Sequence, residues 1–183
     1  FIADVALGIV LLSAPIFTIK FFGASAAYLG FLGAAGSATY VIGVLFFGRL
    51  SDRINKKLIL IAGCSIFLTV NLIIGYLRSL NQILIVYPIG SLGMAMFWPS
   101  IQSWLAENIK KDHLYKSISN FNISWSMGIM CGSFLGGILF EINYHLPFFT
   151  SAALILLTMM IILSIPYKKD GSAGAFKPQN DMD

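Results

Sequence analysis

Charge is scarce in this sequence. Only 11% of its 183 residues are charged, whereas about 25% is typical of a soluble domain. So few charged side chains cannot cover the surface of a water-soluble protein in which 57% of the residues are apolar. This scarcity excludes an ordinary soluble globular domain. A nucleic-acid-binding domain is excluded as well, because the basic residues lie between apolar stretches and form no basic domain of their own.

Cysteine and histidine are also rare, with two of each. Cys64 and Cys131 lie inside apolar stretches, so we expect free thiols rather than a disulfide or a metal site. His113 lies outside those stretches and His145 lies at the edge of the last one, where neither can serve an intramembrane catalytic site. We therefore expect no metal, no cofactor and no enzymatic activity.

Long uncharged runs are what the sequence has instead. Six intervals contain no Asp, Glu, Lys or Arg, and five of them have 20 to 28 residues, enough for a helix to cross the hydrocarbon core of a bilayer. The first has 15 residues, and we interpret it as a helix shortened by the start of the sequence at Phe1. The sequence thus predicts an all-α membrane protein with six transmembrane helices, over residues 5–19, 21–48, 58–77, 79–106, 117–140 and 142–167.

Basic residues predict the orientation of these helices. Ten of the twelve follow the second, fourth and sixth intervals, and basic loops stay in the cytoplasm. We therefore expect an integral protein of the plasma membrane with both ends of the chain cytoplasmic. Residues 1–167 should form one transmembrane domain, with an inner loop at about 106–116, and the polar residues 168–183 a flexible cytoplasmic linker.

The loop after the second interval carries a motif, GRLSDRINKKL, over residues 48–58. The string resembles the signature loop of the major facilitator superfamily, Gly-x-Leu-x-Asp-Arg-x-Gly-Arg-Lys, which joins the second and third helices of that family on the cytoplasmic side. Asn55 replaces a Gly of the pattern, and Asn tolerates the positive φ of a turn. The matching residues are Gly48, Leu50, Asp52, Arg53, Lys56 and Lys57, with Lys for Arg at residue 56.

This resemblance implies an architecture and a role for the loop. The chain would be the N-terminal six-helix half of a transporter, built as a three-plus-three inverted repeat, and its C-terminal six-helix half would be missing. Asp52 and Arg53 would latch the cytoplasmic gate against that second half, with Gly48 as a packing residue. Physically, we expect Lys56 and Lys57 to anchor the third helix at the anionic membrane surface.

Small residues at helical spacing predict packing faces in two helices. In the fifth, Gly128-x-x-x-Gly132-Ser133-x-x-Gly136-Gly137 resembles the Gly-x-x-x-Gly-Pro-x-x-Gly-Gly string of the superfamily's exporters, with Ser for Pro. This partial match leaves antiporters and other family members both open. In the second helix, the small residues are Ala26, Gly30, Ala34 and Ala38.

Polar and aromatic residues inside the helices indicate a cavity, because polar groups are expensive in hydrocarbon. One stripe of the fourth helix carries Tyr87, Ser91, Met94, Trp98 and Gln102. The resemblance implies that helices 1, 2, 4 and 5 border the substrate cavity. We therefore expect, against the alternative of interhelical hydrogen bonding or core packing, a lining that includes Tyr40, Trp98, Gln102, Asn122 and Trp125.

Asp4 is the candidate for contact with a coupling ion, since it is the acid closest to the membrane interior at the inner side. Its alternative role is that of an interfacial acid near a helix N-terminus, where the helix dipole favours a carboxylate.

The expected function is secondary active transport of a small solute across the lipid bilayer by alternating access. A proton-coupled exporter of drugs or metabolites is one form of it. The alternatives are an uptake transporter for a sugar or an organic acid, and a non-transporting membrane sensor or scaffold with the same fold. No nucleic-acid partner is expected.

Overall fold

Six helices make up the structure, a computed structural model that describes residues 1–51, 54–108 and 111–165. Each helix is long and apolar enough to cross a membrane, and the described ranges contain no β-strand. The all-α membrane fold is confirmed. The expected linker at 168–183 lies outside the described residues. The helices are α1 (Ile2–Phe22), α2 (Ala26–Ser51), α3 (Lys56–Ile74), α4 (Leu80–Asn108), α5 (Lys111–Ile142) and α6 (Leu146–Ser164).

The loop expected at about 106–116 is wrong in its extent. α4 continues to Asn108 and α5 begins at Lys111, because Lys, Glu and their neighbours are adequate helix formers and the helices simply extend into water. With 32 residues, α5 is about 48 Å long, more than the roughly 30 Å of the hydrocarbon core.

The ends of two helices follow from local chemistry. α1 ends at Gly23, whose φ of 61° is left-handed and whose N–H donates to the Ile19 carbonyl at 2.9 Å. α3 begins after Asn55, whose side-chain oxygen accepts from the Lys57 N–H at 3.0 Å. The φ of Asn55 is −56°, so the expected positive φ is wrong there. Asn55, which stands where the family pattern has Gly, is the N-cap of α3. Asn is among the residues most favoured at that position.

The helices pack in a pattern with internal symmetry. α1 packs against α5 and α6, α2 against α4, and α3 against α4 and α6. Exchanging α1 with α4, α2 with α5 and α3 with α6 turns each of these contacts into another of the same set, as an inverted repeat requires. The resulting order is α2, α4, α3, α6, α1, α5, an arc whose two ends, α2 and α5, do not pack closely on each other.

Glycines bring α5 against α1. A Cβ atom added at Gly128, Gly132 or Gly136 would overlap atoms of α1. At Gly137 it would make an ordinary contact, 3.5 Å from Cδ2 of Leu12. The structure thus places three of the four glycines of the exporter-like string in a close helix–helix seam, where dispersion between backbones drives association in lipid.

α1 also presents small residues to α5. A Cβ at Gly8 would lie 2.5 Å from the carbonyl oxygen of Ile129. Ser133 donates to the Gly8 carbonyl at 3.3 Å, and Ser13 donates to the Gly136 carbonyl at 3.4 Å. The Ser that replaces the exporters' Pro therefore bonds the two helices across their seam.

The second predicted packing face is wrong within this chain. Ala34 and Ala38 are exposed, and a Cβ at Gly30 would meet no atom within 4 Å. α2 instead packs against α4 through Gly36 and Gly43, which lie on roughly the opposite side of the helix.

Candidate functional site

A cavity of about 620 Å³ lies inside the arc of helices. α1, α2, α4 and α5, the helices that the resemblance implied, supply most of its lining, and α3 adds Phe67 and Val70. None of its lining residues belongs to α6. The cavity is thus bounded by the two ends of the arc and by the helices next to them.

The structure brings all five of the expected lining residues to this one cavity. Trp98 is buried and packs edge-on against Phe121, with ring centroids 5.9 Å apart, while Trp125 keeps 45% of its surface exposed. The α4 stripe from Tyr87 to Gln102 lines the cavity along about 22 Å of helix. The five are Tyr40, Trp98, Gln102, Asn122 and Trp125.

The polar groups of the cavity are not engaged by the rest of the described chain. Its hydroxyls and amides have no hydrogen-bond partner among the described residues, so they can bond a solute or water. Among the residues that the structure describes, no Asp, Glu, Lys or Arg lines the cavity. Aromatic faces with a few hydrogen-bonding groups suit an amphipathic, aromatic solute. The polar residues are Ser37, Tyr40, Tyr87, Ser91, Gln102 and Asn122.

Part of the lining carried little signal in the sequence. Leu7, Val10 and Leu11 of α1 look like any lipid-facing residues, because apolar side chains serve both environments. The sequence of α2 did carry a signal. Gly33, Ser37 and Tyr40 follow one another at helical spacing and lie on one face of the helix. A face of small and polar residues beside a Tyr indicates the side turned away from lipid.

Asp4, the coupling-ion candidate, lies outside the cavity lining. Its side chain is buried against Gly128, and its Oδ2 lies 3.0 Å from the amino group of Phe1. Its other oxygen has no hydrogen-bond partner among the described residues. The structure therefore separates this carboxylate from the residues that surround the cavity.

The signature loop, residues 48–58, is described in part. Asp52 and Arg53 lie outside the described residues. A Cβ added at Gly48 would meet no atom of the described residues within 4 Å. The packing role expected of this glycine therefore stays a prediction.

The two lysines of the loop bind other helices, so the expected role as membrane anchors is wrong for Lys56. Only 5% of its side chain is exposed, and it forms an ion pair with Glu107 near the end of α4. Lys57 donates to the carbonyl oxygens of Leu163 and Ile165, each at 2.8 Å. A cation there offsets the negative end of the α6 dipole. The start of α3 and the C-terminal ends of α4 and α6 are thereby held together.

Comparison with known proteins places the chain in a family. It is 25% identical over 176 residues to the quinolone resistance protein NorA of Staphylococcus aureus (strain Mu50 / ATCC 700699), covering 95% of this chain and 45% of that protein. It is also 25% identical over 161 residues to multidrug resistance protein 1 of Bacillus subtilis (strain 168), covering 88% of this chain and 41% of that protein. The chain spans less than half the length of these relatives. The model of the Major Facilitator Superfamily matches residues 1–181, and the chain, an integral membrane protein by its six helices, belongs to that superfamily of transporters.

Proposed function

We propose that the protein containing this chain exports amphipathic, aromatic solutes by alternating access. The observation that carries the proposal is the cavity of about 620 Å³, with its aromatic walls, unengaged hydroxyls and amides, and absence of charged lining residues. The names of the two relatives, a quinolone resistance protein and a multidrug resistance protein, support export over uptake.

The arrangement of the helices supports a division into two halves. This chain supplies one wall of the solute path, and a second six-helix half closes the arc between α2 and α5. The solute binds between the halves, whose rocking exposes it to either side of the membrane. Transport requires that binding energy differ between the two orientations.

The signature loop, residues 48–58, holds the two halves together when the cytoplasmic side is closed. Lys56 and Lys57 hold the loop to the ends of α4 and α6, so that Asp52 and Arg53 reach the second half when the cytoplasmic side is closed. Gly48, which has no side chain, lets the second half approach α2 closely. Both ends of the domain then face the cytoplasm, in the plasma membrane.

Asp4 is the group that binds and releases the coupling proton in this proposal. Among the acids whose side chains the structure describes, it is buried, whereas Glu107 and Glu141 are exposed near helix ends. A buried carboxylate that gains and loses a proton changes the charge at the α1–α5 seam, and thus biases one packing of these helices over another.

Export by the purified protein in proteoliposomes tests the proposal, with a quinolone as solute and an imposed pH gradient. Trp125→Ala should lower kcat/KM about tenfold, the effect of losing about 1.4 kcal/mol of aromatic contact. Tyr115→Ala, on the same helix but outside the cavity lining, should leave export unchanged. Asp52→Asn should abolish flux without affecting membrane insertion.

Two other results would overturn this function. Uptake of a sugar or organic acid without export of the quinolone would make the protein an importer. Absence of flux for every solute, with normal insertion and folding, would favour a sensor or scaffold with the transporter fold.

A further inference from the structure

Gly36 of α2 faces two surroundings at once. It lines the cavity, and it is also where α2 meets α4. A Cβ atom at Gly36 would lie 3.0 Å from Cε1 of Tyr87 and 3.1 Å from Oγ of Ser91. Both of these α4 residues line the same cavity. The ring of Tyr87 therefore rests against the backbone of α2, in the space that a side chain at residue 36 would fill.

The ring of Tyr87 has three kinds of neighbour. It is partly buried and packs against the hydrophobic core of the bundle, it lies against Gly36, and it lines the cavity. A methyl group at residue 36 would require the ring to give way by a few tenths of an ångström. Because the core is closely packed, we expect the ring to move toward the cavity and make it narrower.

We propose that Gly36 and Tyr87 together set the width of the cavity and so determine which aromatic solutes fit. The inference rests on the proposed function, since it concerns the size selection of that same cavity. Gly36 leaves the Tyr87 ring retracted, and the cavity admits solutes with two or three fused rings. With any larger residue at 36 the ring advances, and the cavity admits smaller solutes only.

Two other glycines of α2 provide matched controls. Gly33 also lines the cavity, but a Cβ there would meet no atom within 4 Å. Gly43 packs against α4, where a Cβ atom added at residue 43 would lie 2.7 Å from Cβ of Ala95. Gly43 does not belong to the cavity lining. Gly33→Ala therefore adds the same methyl group without moving the ring, and Gly43→Ala disturbs the same pair of helices away from the cavity.

The experiment measures export by the purified protein in proteoliposomes for three probes: benzamide with one ring, a quinolone with two and acridine orange with three. Gly36→Ala should reduce kcat/KM for acridine orange about tenfold or more, as hydrophobic pockets do for small changes of size. For benzamide, whose single ring needs less space, kcat/KM should change by less than about twofold. Gly33→Ala should change none of the three, and Gly43→Ala should change all three alike.

Removing the ring provides the reciprocal arm. In a Tyr87→Ala background, Gly36→Ala should no longer discriminate among the three probes, because no ring is left to displace and the contact with Ser91 alone is common to all of them. Tyr87→Ala alone should raise kcat/KM for acridine orange relative to benzamide, and Tyr87→Phe should keep the wild-type profile. This arm also decides the matter if Gly36→Ala does not fold.

Several outcomes would overturn the inference: equal losses for all three probes in Gly36→Ala, the same size profile in Gly43→Ala, or a size discrimination by Gly36→Ala that persists without the ring. If the wild-type protein exports none of the probes, the proposed function fails instead. Equilibrium binding of the three probes to the same variants then tests the cavity width alone, with the same expected order.

Discussion

Lys56 shows how a single residue holds helix ends together at one end of the bundle. Its side chain is nearly buried, yet it carries a charge that one carboxylate, Glu107, balances. A lysine after a basic loop is typically expected to reach lipid headgroups, and only the structure shows that α4 extends far enough to meet it. The partner could not be predicted from the sequence, because the helix continues past the charge that marks the end of its apolar run.

Glu107→Gln should therefore destabilise the protein slightly. The amide oxygen can still accept from Lys56, but the charge that balances the ammonium is lost. Because Glu107 is exposed to water, the cost should be about 0.5–1 kcal/mol. Thermal unfolding in detergent should show a lower Tm for this variant. Glu141→Gln, at an exposed acid with no ion pair among the described residues, is the control and should leave Tm unchanged. Equal effects of the two variants would refute the structural role of the pair.

At the scale of helices, spacing in the sequence predicted some surfaces and missed others. The repeat from Gly128 to Gly136 indicated a packing face, and its residues lie against α1. The similar repeat around Gly30 lies exposed, while α2 uses Gly36 and Gly43. Small residues every four positions favour close packing in general, but they do not say which neighbour is present, because the neighbour depends on the order of helices in the bundle.

Gly132→Ala should weaken the α1–α5 seam far more than Gly137→Ala. The methyl group at 132 would overlap the main chain of α1, whereas the one at 137 would make an ordinary contact with Leu12. Overpacking of this kind costs about 1–3 kcal/mol. Tm in detergent and the yield of folded protein measure the difference. Similar stability of the two variants would show that the seam is not as close as described.

At the largest scale, the six described helices form an arc around a cavity, and this general form was open to prediction. Uncharged runs of sufficient length gave the number of helices, and the signature loop gave the family. The aromatic and polar lining was also accessible, because residues such as Asn122 and Trp125 are unusual in hydrocarbon. The contributions of α3 and of the apolar residues of α1 were not, since no feature of the sequence separates cavity-facing from lipid-facing apolar side chains.

The orientation of the arc in the membrane has a direct test. Tyr115 and Asn143 are both exposed and lie 28 positions apart near opposite ends of α5, about 42 Å along a helix. In intact cells, a membrane-impermeant maleimide should label Asn143→Cys and not Tyr115→Cys, because we propose that the basic loops lie in the cytoplasm. Both sites should react after permeabilisation. Labelling of Tyr115→Cys in sealed cells would invert the topology.

Protection of the cavity by a transported solute tests the central claim most directly. In the protein with Cys64→Ala and Cys131→Ala, a permeant maleimide reacts with Asn122→Cys in the cavity or with Tyr115→Cys outside it. We predict that a quinolone slows labelling of Asn122→Cys several-fold and leaves that of Tyr115→Cys unchanged. A protein that exports the quinolone while both cysteines react at unaltered rates would contradict the account.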